Sequence, residues 1–370
     1  VSGPPRNAEI AAFDQYKAAH PLLTAAHTEL LATIREHGDA VMVLLAGPSG
    51  VGKSTLLEHV ISDLAAEWAP YAPPGTDPIR SFLMPPFGPQ GFSLKDLYFA
   101  IQRALDEPGI ESKVLYQPAG RDQDSSLVRR RTTESAAREA TRKALVGREV
   151  AVLVGDEAQH LCEAGGTAHI MSLLESIKWL GMATGTLIVL AGTYDLRALI
   201  GLNPQLDRRT PVVHFPRYKD DVEAERADFI NVLRKLEAHL PGGTVGLLDD
   251  WKHLYDVSNG CVGSLKMRLL RGLRAALTAG RPLSIADLRP NKFDRRRIAR
   301  HRSDIRRGED DFSTDMPDEH PDSAETLMAD VLPDAAFGTR SRPRRPFKRT
   351  GKRDRTGAIG SDQAADLGAG

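Results

Sequence analysis

The sequence has 370 residues, of which 41% are hydrophobic and 26% charged, enough to bury a sizeable core and to fill two or three folded units. Lys and Arg number 49 and Asp and Glu number 49, so the placement of charge carries the information and its sum does not. The two cysteines, Cys162 and Cys261, are too few for a zinc cluster and too distant in sequence for a redox pair. No run approaches the roughly 20 apolar residues of a membrane-spanning helix, and Val1-Ser2-Gly3-Pro4-Pro5 lacks a signal-peptide pattern, so the expectation is a soluble cytoplasmic protein with reduced thiols and no membrane partner.

From Ile10 to His37, apolar residues recur at helical spacing with a break at His20-Pro21, which predicts two helices. Val41 to Ala46 is a continuous apolar run bounded by turn residues, the pattern of a strand covered on both faces. Ile79 to Met84, Val150 to Val154 and Leu187 to Ala191 read the same way, and Pro211 to Phe215 supplies a fifth, shorter strand. Amphipathic stretches such as Leu94 to Leu105 and Glu134 to Leu145 lie between them. Uniformly apolar strands alternating with helices predict an α/β core, a parallel five-stranded sheet with helices on both sides.

After Tyr218 the apolar positions Phe229, Val232, Leu233, Leu236 and Leu240, then Leu254, Val257, Leu265, Leu269, Leu270, Leu273 and Leu277, predict a small all-helical unit. Basic residues dominate from Lys292 to Arg307, acidic residues from Gly308 to Thr339, and basic residues again from Arg340 to Arg355. Such charge blocks with few apolar anchors predict a largely disordered tail, a tether for DNA or an acidic protein surface. The expected organisation is an N-terminal helical extension over 1–38, an α/β core over 39–217, a helical lid over 218–288 and a charged tail over 289–370.

The most informative residues are Gly47-Pro48-Ser49-Gly50-Val51-Gly52-Lys53-Ser54-Thr55, after a strand and before a helix. The glycines let successive N–H groups converge on phosphate oxygens at the positive end of the helix that follows. Lys53 adds charge near the β- and γ-phosphates, and the Ser54 hydroxyl is a Mg²⁺ ligand in this geometry. The run from Val150 ends in Asp156 and Glu157. Asp156 is expected beside the metal, and Glu157 is expected to orient and deprotonate the attacking water. ATP and Mg²⁺ are therefore the expected ligands and ATP hydrolysis the expected reaction. A transporter ATPase would carry a Leu-Ser-Gly-Gly-Gln type signature before the acidic strand, and Glu134 to Arg148 contains none. A small nucleotide kinase rarely needs the acid pair or the second helical unit.

Thr193, at the end of the fourth strand, is either a γ-phosphate sensor or a helix cap. Arg208 and Arg209 precede the fifth strand and are either a surface pair or an arginine finger for a neighbouring subunit. Lys266 and Arg268 lie near a helix start in the lid, where one of them either touches phosphate or belongs to a solvated face.

These residues resemble AAA+ ATPases and, within them, the DNA-transposition regulators of the TnsC and TniB type, over roughly Phe13 to Leu277. The resemblance is carried by His20-Pro21, Gly47 to Thr55, Gly155-Asp156-Glu157-Ala158-Gln159-His160-Leu161, the helix through Leu173, Leu174 and Trp179-Leu180, and Ala191-Gly192-Thr193-Tyr194-Asp195. It continues through Asn203-Pro204-Gln205-Leu206-Asp207-Arg208-Arg209, Phe215-Pro216-Arg217-Tyr218 and Ser258 to Gly263. The family often has a hydrophobic residue where Gly155 stands, and Arg-Phe where Arg208-Arg209 stands. The resemblance implies ATP-dependent assembly as a ring or helical filament on double-stranded DNA, bridging a target-selection protein of the TniQ type to a transposase, with hydrolysis driving disassembly. A DNA face is expected at Arg129, Arg130, Arg131 and Thr132, continued by Arg138 and Arg142, reading phosphates and not bases. Glu134 and Glu139 among these cations leave open a solvated, ion-paired helix. A runner-up is a nucleotide switch that controls protein contacts without DNA. An origin-loading ATPase would carry a winged helix after the lid, where this sequence has charge blocks.

Overall fold

Pro21 fixes its own φ and restricts His20, so the N-terminal pattern breaks there into α1 (Ala8–Gln15) and α2 (Pro21–Arg35). The computed structural model describes residues 8–86, 88, 91–110, 133–164, 166–199, 209–242, 245–290 and 292–313. The sheet strands are β1 (Met42–Ala46), β2 (Ile79–Leu83), β3 (Val152–Asp156), β4 (Leu187–Gly192) and β5 (Val212–His214). All pair in parallel, in the order β2-β3-β4-β1-β5. The helices joining them are α3 (Lys53–Trp68), α4 (Leu94–Ala104), α5 (Glu134–Gly147) and α6 (Thr167–Thr184).

Alternation along β1 sends its side chains to two separate cores. Met42 and Leu44 join residues of α4, α5 and α6 on one face, whereas Val43 and Leu45 join α2 and α3 on the other. Every β1 residue is buried, as a strand covered on both sides requires. The architecture expected from the apolar runs, a parallel sheet between helical layers, is the one present.

The lid comprises α7 (Glu223–Ala238), α8 (Trp251–Ser258) and α9 (Val262–Thr278), packed on Phe229, Leu233, Leu254, Leu265 and Leu269. The N-terminal extension does not form a unit of its own. Phe13 and Ala18 belong to the lid core, whereas Leu23, Leu30 and Ile34 of α2 belong to the sheet core. His20 sits at this crossing point, only 5% exposed, with its Nδ1 accepting from the Leu23 N–H at 3.3 Å and lying 3.0 Å from the Tyr218 hydroxyl.

Burial, with Lys235 adding to it, pulls the His20 pKa down to about 4. An unfolded chain takes up this proton near pH 6.5 while the folded one refuses it, so stability is full above that value and falls as the pH drops toward 4. The expected loss is about 3 kcal/mol across that window. His214 and His301, also lowered by burial, add to the slope. Urea midpoints measured from pH 7 to 4 should show the decline, and His20→Gln should flatten it; an equal slope in the variant would exclude His20 as its source.

The charged tail expected from residue 289 onward begins instead with a helix, α10 (Lys292–Ser313). One face is anchored. Ile305 packs with Tyr194 and Cys261, and Gly308 lies so close to the Tyr194 ring that a Cβ would stand 2.2 Å from it. Arg302 donates to the Asn259 side chain at 2.9 Å and to the Asp256 carbonyl at 2.8 Å. Glu309 accepts two 2.9 Å bonds from Arg217, which follows β5. Burial opposes the charge of Arg217, but the hydrogen bonds and charge of Glu309 outweigh it and keep the guanidinium protonated. The residues of the expected tail from 314 to 370 lie outside the described residues. Among the described residues, no helix is long and apolar enough to cross a membrane, and both cysteines are buried and free.

Candidate active site

The sheet register brings the sequence-predicted residues together. Ala46 of β1 pairs with Gly192 of β4, so Gly47 and Thr193 leave the sheet side by side. β4 lies between β1 and β3, which places Thr193 between the phosphate loop and Asp156. Ser54 and Asp156 are 102 positions apart in sequence, yet the Ser54 hydroxyl donates to the Asp156 carboxylate at 2.6 Å.

The loop from Gly47 to Thr55 curls as its composition requires. Gly50 has φ +75° and Gly52 φ +123°, conformations that a side chain would strain. Lys53 opens α3 and donates back to the carbonyls of Gly47 at 2.9 Å and Pro48 at 3.0 Å. Burial lowers the Lys53 pKa, while the charges of Asp156 and Glu157 work against that shift. A desolvated ammonium at the positive end of a helix is matched to a polyanion.

These residues fit ATP and Mg²⁺. The loop has the backbone of a phosphate cradle, and a hydroxyl and a carboxylate already share one point, the sparse protein donor set from which Mg²⁺ is held alongside phosphate and water.

Glu157 has φ +60°, a left-handed conformation uncommon outside glycine, and its N–H donates to Asp156 at 2.8 Å. Its carboxylate accepts from the side-chain amide of Gln159. Thr193 donates through its hydroxyl to Asp195 at 2.6 Å, and its N–H is 3.3 Å from the Gln159 amide oxygen. Gln159, to which the sequence alone assigns no role, thus bridges Glu157 and Thr193.

The lid reaches the phosphate loop through backbone. The Ser264 N–H donates to the Gly50 carbonyl at 2.8 Å, setting the start of α9 on the loop. Of the two lid cations, Lys266 is directed away from the loop, whereas Arg268 lines a cavity that also reaches Ser49 and Gly50. Lys266 donates to the carbonyls of Asp14 and Tyr16, both at 2.6 Å, and so fastens the N-terminal segment to the lid. Arg268 donates to the Leu288 carbonyl at 3.2 Å. Helix α10 forms one wall of a cleft of about 230 Å³ beside the loop, across from Pro48, Ser49 and Thr193.

Arg209 is not in this cluster. It pairs at 3.2 Å with Asp39, which precedes β1, so it lies at the end of the sheet opposite the loop. Arg208 lies outside the described residues, as do Arg129, Arg130, Arg131 and Thr132. Of the expected DNA face, Arg138 stacks 5.0 Å over the Trp179 ring and Arg142 is held by Glu139 through bonds of 2.9 and 2.8 Å. The departure at Gly155 has a local cause: a Cβ there would come within 2.9 Å of Phe82 and 3.2 Å of Leu190, whose side chains fill the space.

Residues 35–200 match the family model described as AAA domain. Among solved structures, the protein is similar to domain III of the replication initiation protein DnaA from Thermotoga maritima, with 13% identity, 77% of this chain and 96% of that chain covered, and a TM-score of 0.43. It is similar to the ORC2 protein of Aeropyrum pernix in ADPNP–ADP complexes, with 16% identity, coverage of 80% and 72%, and a TM-score of 0.47. A Walker-type ATPase of Pyrococcus abyssi matches with 15% identity, coverage of 87% and 92%, and a TM-score of 0.45. No curated protein gives a match to this sequence.

Proposed function

Starting from an ATPase core of the AAA type over residues 35–200, we propose that this protein is an ATP-dependent regulator of DNA transposition. In this reading it oligomerises on double-stranded DNA and links a target-selection protein to a transposase. The observation that carries the ATPase part is the hydrogen bond from Ser54, in the first turn of α3 after the phosphate loop, to Asp156 at the end of β3. The ordered motif series from His20-Pro21 to Gly263 supports the transposition part.

The chemistry follows from the placement of the groups. Backbone N–H groups of Gly50 to Lys53 and the Lys53 ammonium hold the triphosphate and offset its charge. Ser54 and Asp156 would hold Mg²⁺, which would supply further neutralisation of the phosphate charge. Glu157 accepts a proton from water as the water oxygen bonds to the γ-phosphorus. The bond from that phosphorus to the bridging oxygen breaks, and ADP leaves with the electron pair. Thr193 contacts the γ-phosphate, and Arg208 or Arg209 completes the site of a neighbouring protomer.

DNA is engaged through phosphates by the basic stretch Arg129 to Arg131 with Arg138 and Arg142. The ties of Arg138 to Trp179 and of Arg142 to Glu139 favour the second reading, a nucleotide switch that controls protein contacts without DNA. Sedimentation with duplex DNA separates the two. The first reading expects ATP-dependent co-sedimentation that weakens steeply between about 50 and 200 mM salt and varies little with sequence. Charge reversal at Arg130 and Arg131 should abolish it. ATP binding without any DNA association would favour the switch.

A further inference from the structure

Gln159 stands two positions after the acid pair, in a 3-10 helix (Ala158–Ala164) that packs across the end of β4. Its two amide atoms point to different parts of the site. The nitrogen donates to the Glu157 carboxylate, and the oxygen takes the N–H of Thr193 at 3.3 Å. The side chain therefore spans from the expected base to the strand end where the γ-phosphate is expected. Space for it is reserved: a Cβ at Gly192 would lie 2.8 Å from the Gln159 amide oxygen and 2.9 Å from its backbone nitrogen. Only glycine at 192 lets the amide lie flat across β4.

We infer that Gln159 is a positioning residue for hydrolysis, an amide bridge that sets the Glu157 carboxylate relative to Thr193. The inference rests on the reading of Glu157 as the general base. Glu157 starts from a left-handed backbone; its N–H donates to Asp156 and its carbonyl accepts from the His160 N–H, and among the described residues the bond shown to its carboxylate comes from Gln159. The amide guides that carboxylate, and because its other end is fixed to β4, a shift of the strand end on phosphate arrival moves the base with it. No other natural side chain of this length offers a donor and an acceptor together at neutral charge.

Two substitutions separate positioning from simple packing. Gln159→Leu removes both bonds, and Gln159→Glu keeps the acceptor for Thr193 but removes the donor and sets a like charge beside Glu157. Both are expected to lower kcat about tenfold or more, less than the ~10²–10⁴ loss expected from removing the base itself. KM for ATP, affinity for a fluorescent ATP analogue and the melting temperature should stay near wild type. In a Glu157→Gln background, Gln159→Leu should add no further loss, since a residue acting only through Glu157 has nothing left to position. Wild-type kcat in Gln159→Leu, or an independent additive loss in the double variant, would overturn the inference. If the wild-type protein itself fails to hydrolyse ATP, or Glu157→Gln alone has no effect, the reading of the base fails first and is recognised as such.

Discussion

Glu157→Gln is expected to bind ATP as the wild type does and to hydrolyse it about 10²–10⁴ times more slowly. The separation follows from where the groups sit. In the proposed site Lys53, the loop amides and the Ser54–Asp156 pair form the phosphate cradle, with Glu157 beside it. The variant retains nearly the same shape and loses only the capacity to accept a proton from water. Equilibrium binding of a fluorescent ATP analogue together with phosphate release in single turnover gives both quantities. Full turnover in the variant would remove Glu157 from the mechanism and with it the reading of the acid pair as two separate roles.

The double replacement of Arg208 and Arg209 by Ala is expected to cost about 10³–10⁵ in turnover of the assembled protein, the scale of a fully used arginine finger. Arg209 cannot act on the nucleotide of its own chain. It is paired with Asp39 before β1, whereas the phosphate loop follows Ala46 at the other end of that strand, about 16 Å away by strand rise. A role in catalysis must therefore be played on another protomer. Mixing settles it: the arginine variant retains the base and Glu157→Gln retains the arginines, so combining the two inactive proteins should restore phosphate release. A mixture that stays inactive while co-assembling would leave Arg209 as a surface partner of Asp39 and nothing more.

Apolar content made the sheet readable from the sequence. The residues of β1 and β4 are wholly buried, and burial on two faces forces the uninterrupted apolar runs that mark them. The curl of the loop was legible because backbone curvature demands glycine at Gly50 and Gly52, and the strand-to-helix setting of Ser54 and Asp156 placed them close together. Gln159 was not legible, because its role is defined by two partners, one of them 34 positions away, and an amide has no spacing rule. The sequence leaves Lys266 open between a phosphate contact and a solvated face. Spacing could not choose, because the carbonyls that hold its ammonium, those of Asp14 and Tyr16, lie some 250 positions away in sequence.

Helix α10 escaped the sequence reading because its anchors are few: Ile305, a glycine, and a buried acid whose partner Arg217 lies 92 positions upstream. The charge blocks that suggest disorder leave out this inner face. Charge content alone misjudges a segment whose ionic groups find buried partners.

Arg302 grips the lid, and Gly308 grips Tyr194 beside β4, six residues further along the same helix or about 9 Å by helical rise. α10 accordingly ties the lid to Tyr194, just after β4, through two successive turns in its second half. Moving the lid relative to the strand ends therefore requires breaking the hold at Arg302 or the one at Gly308.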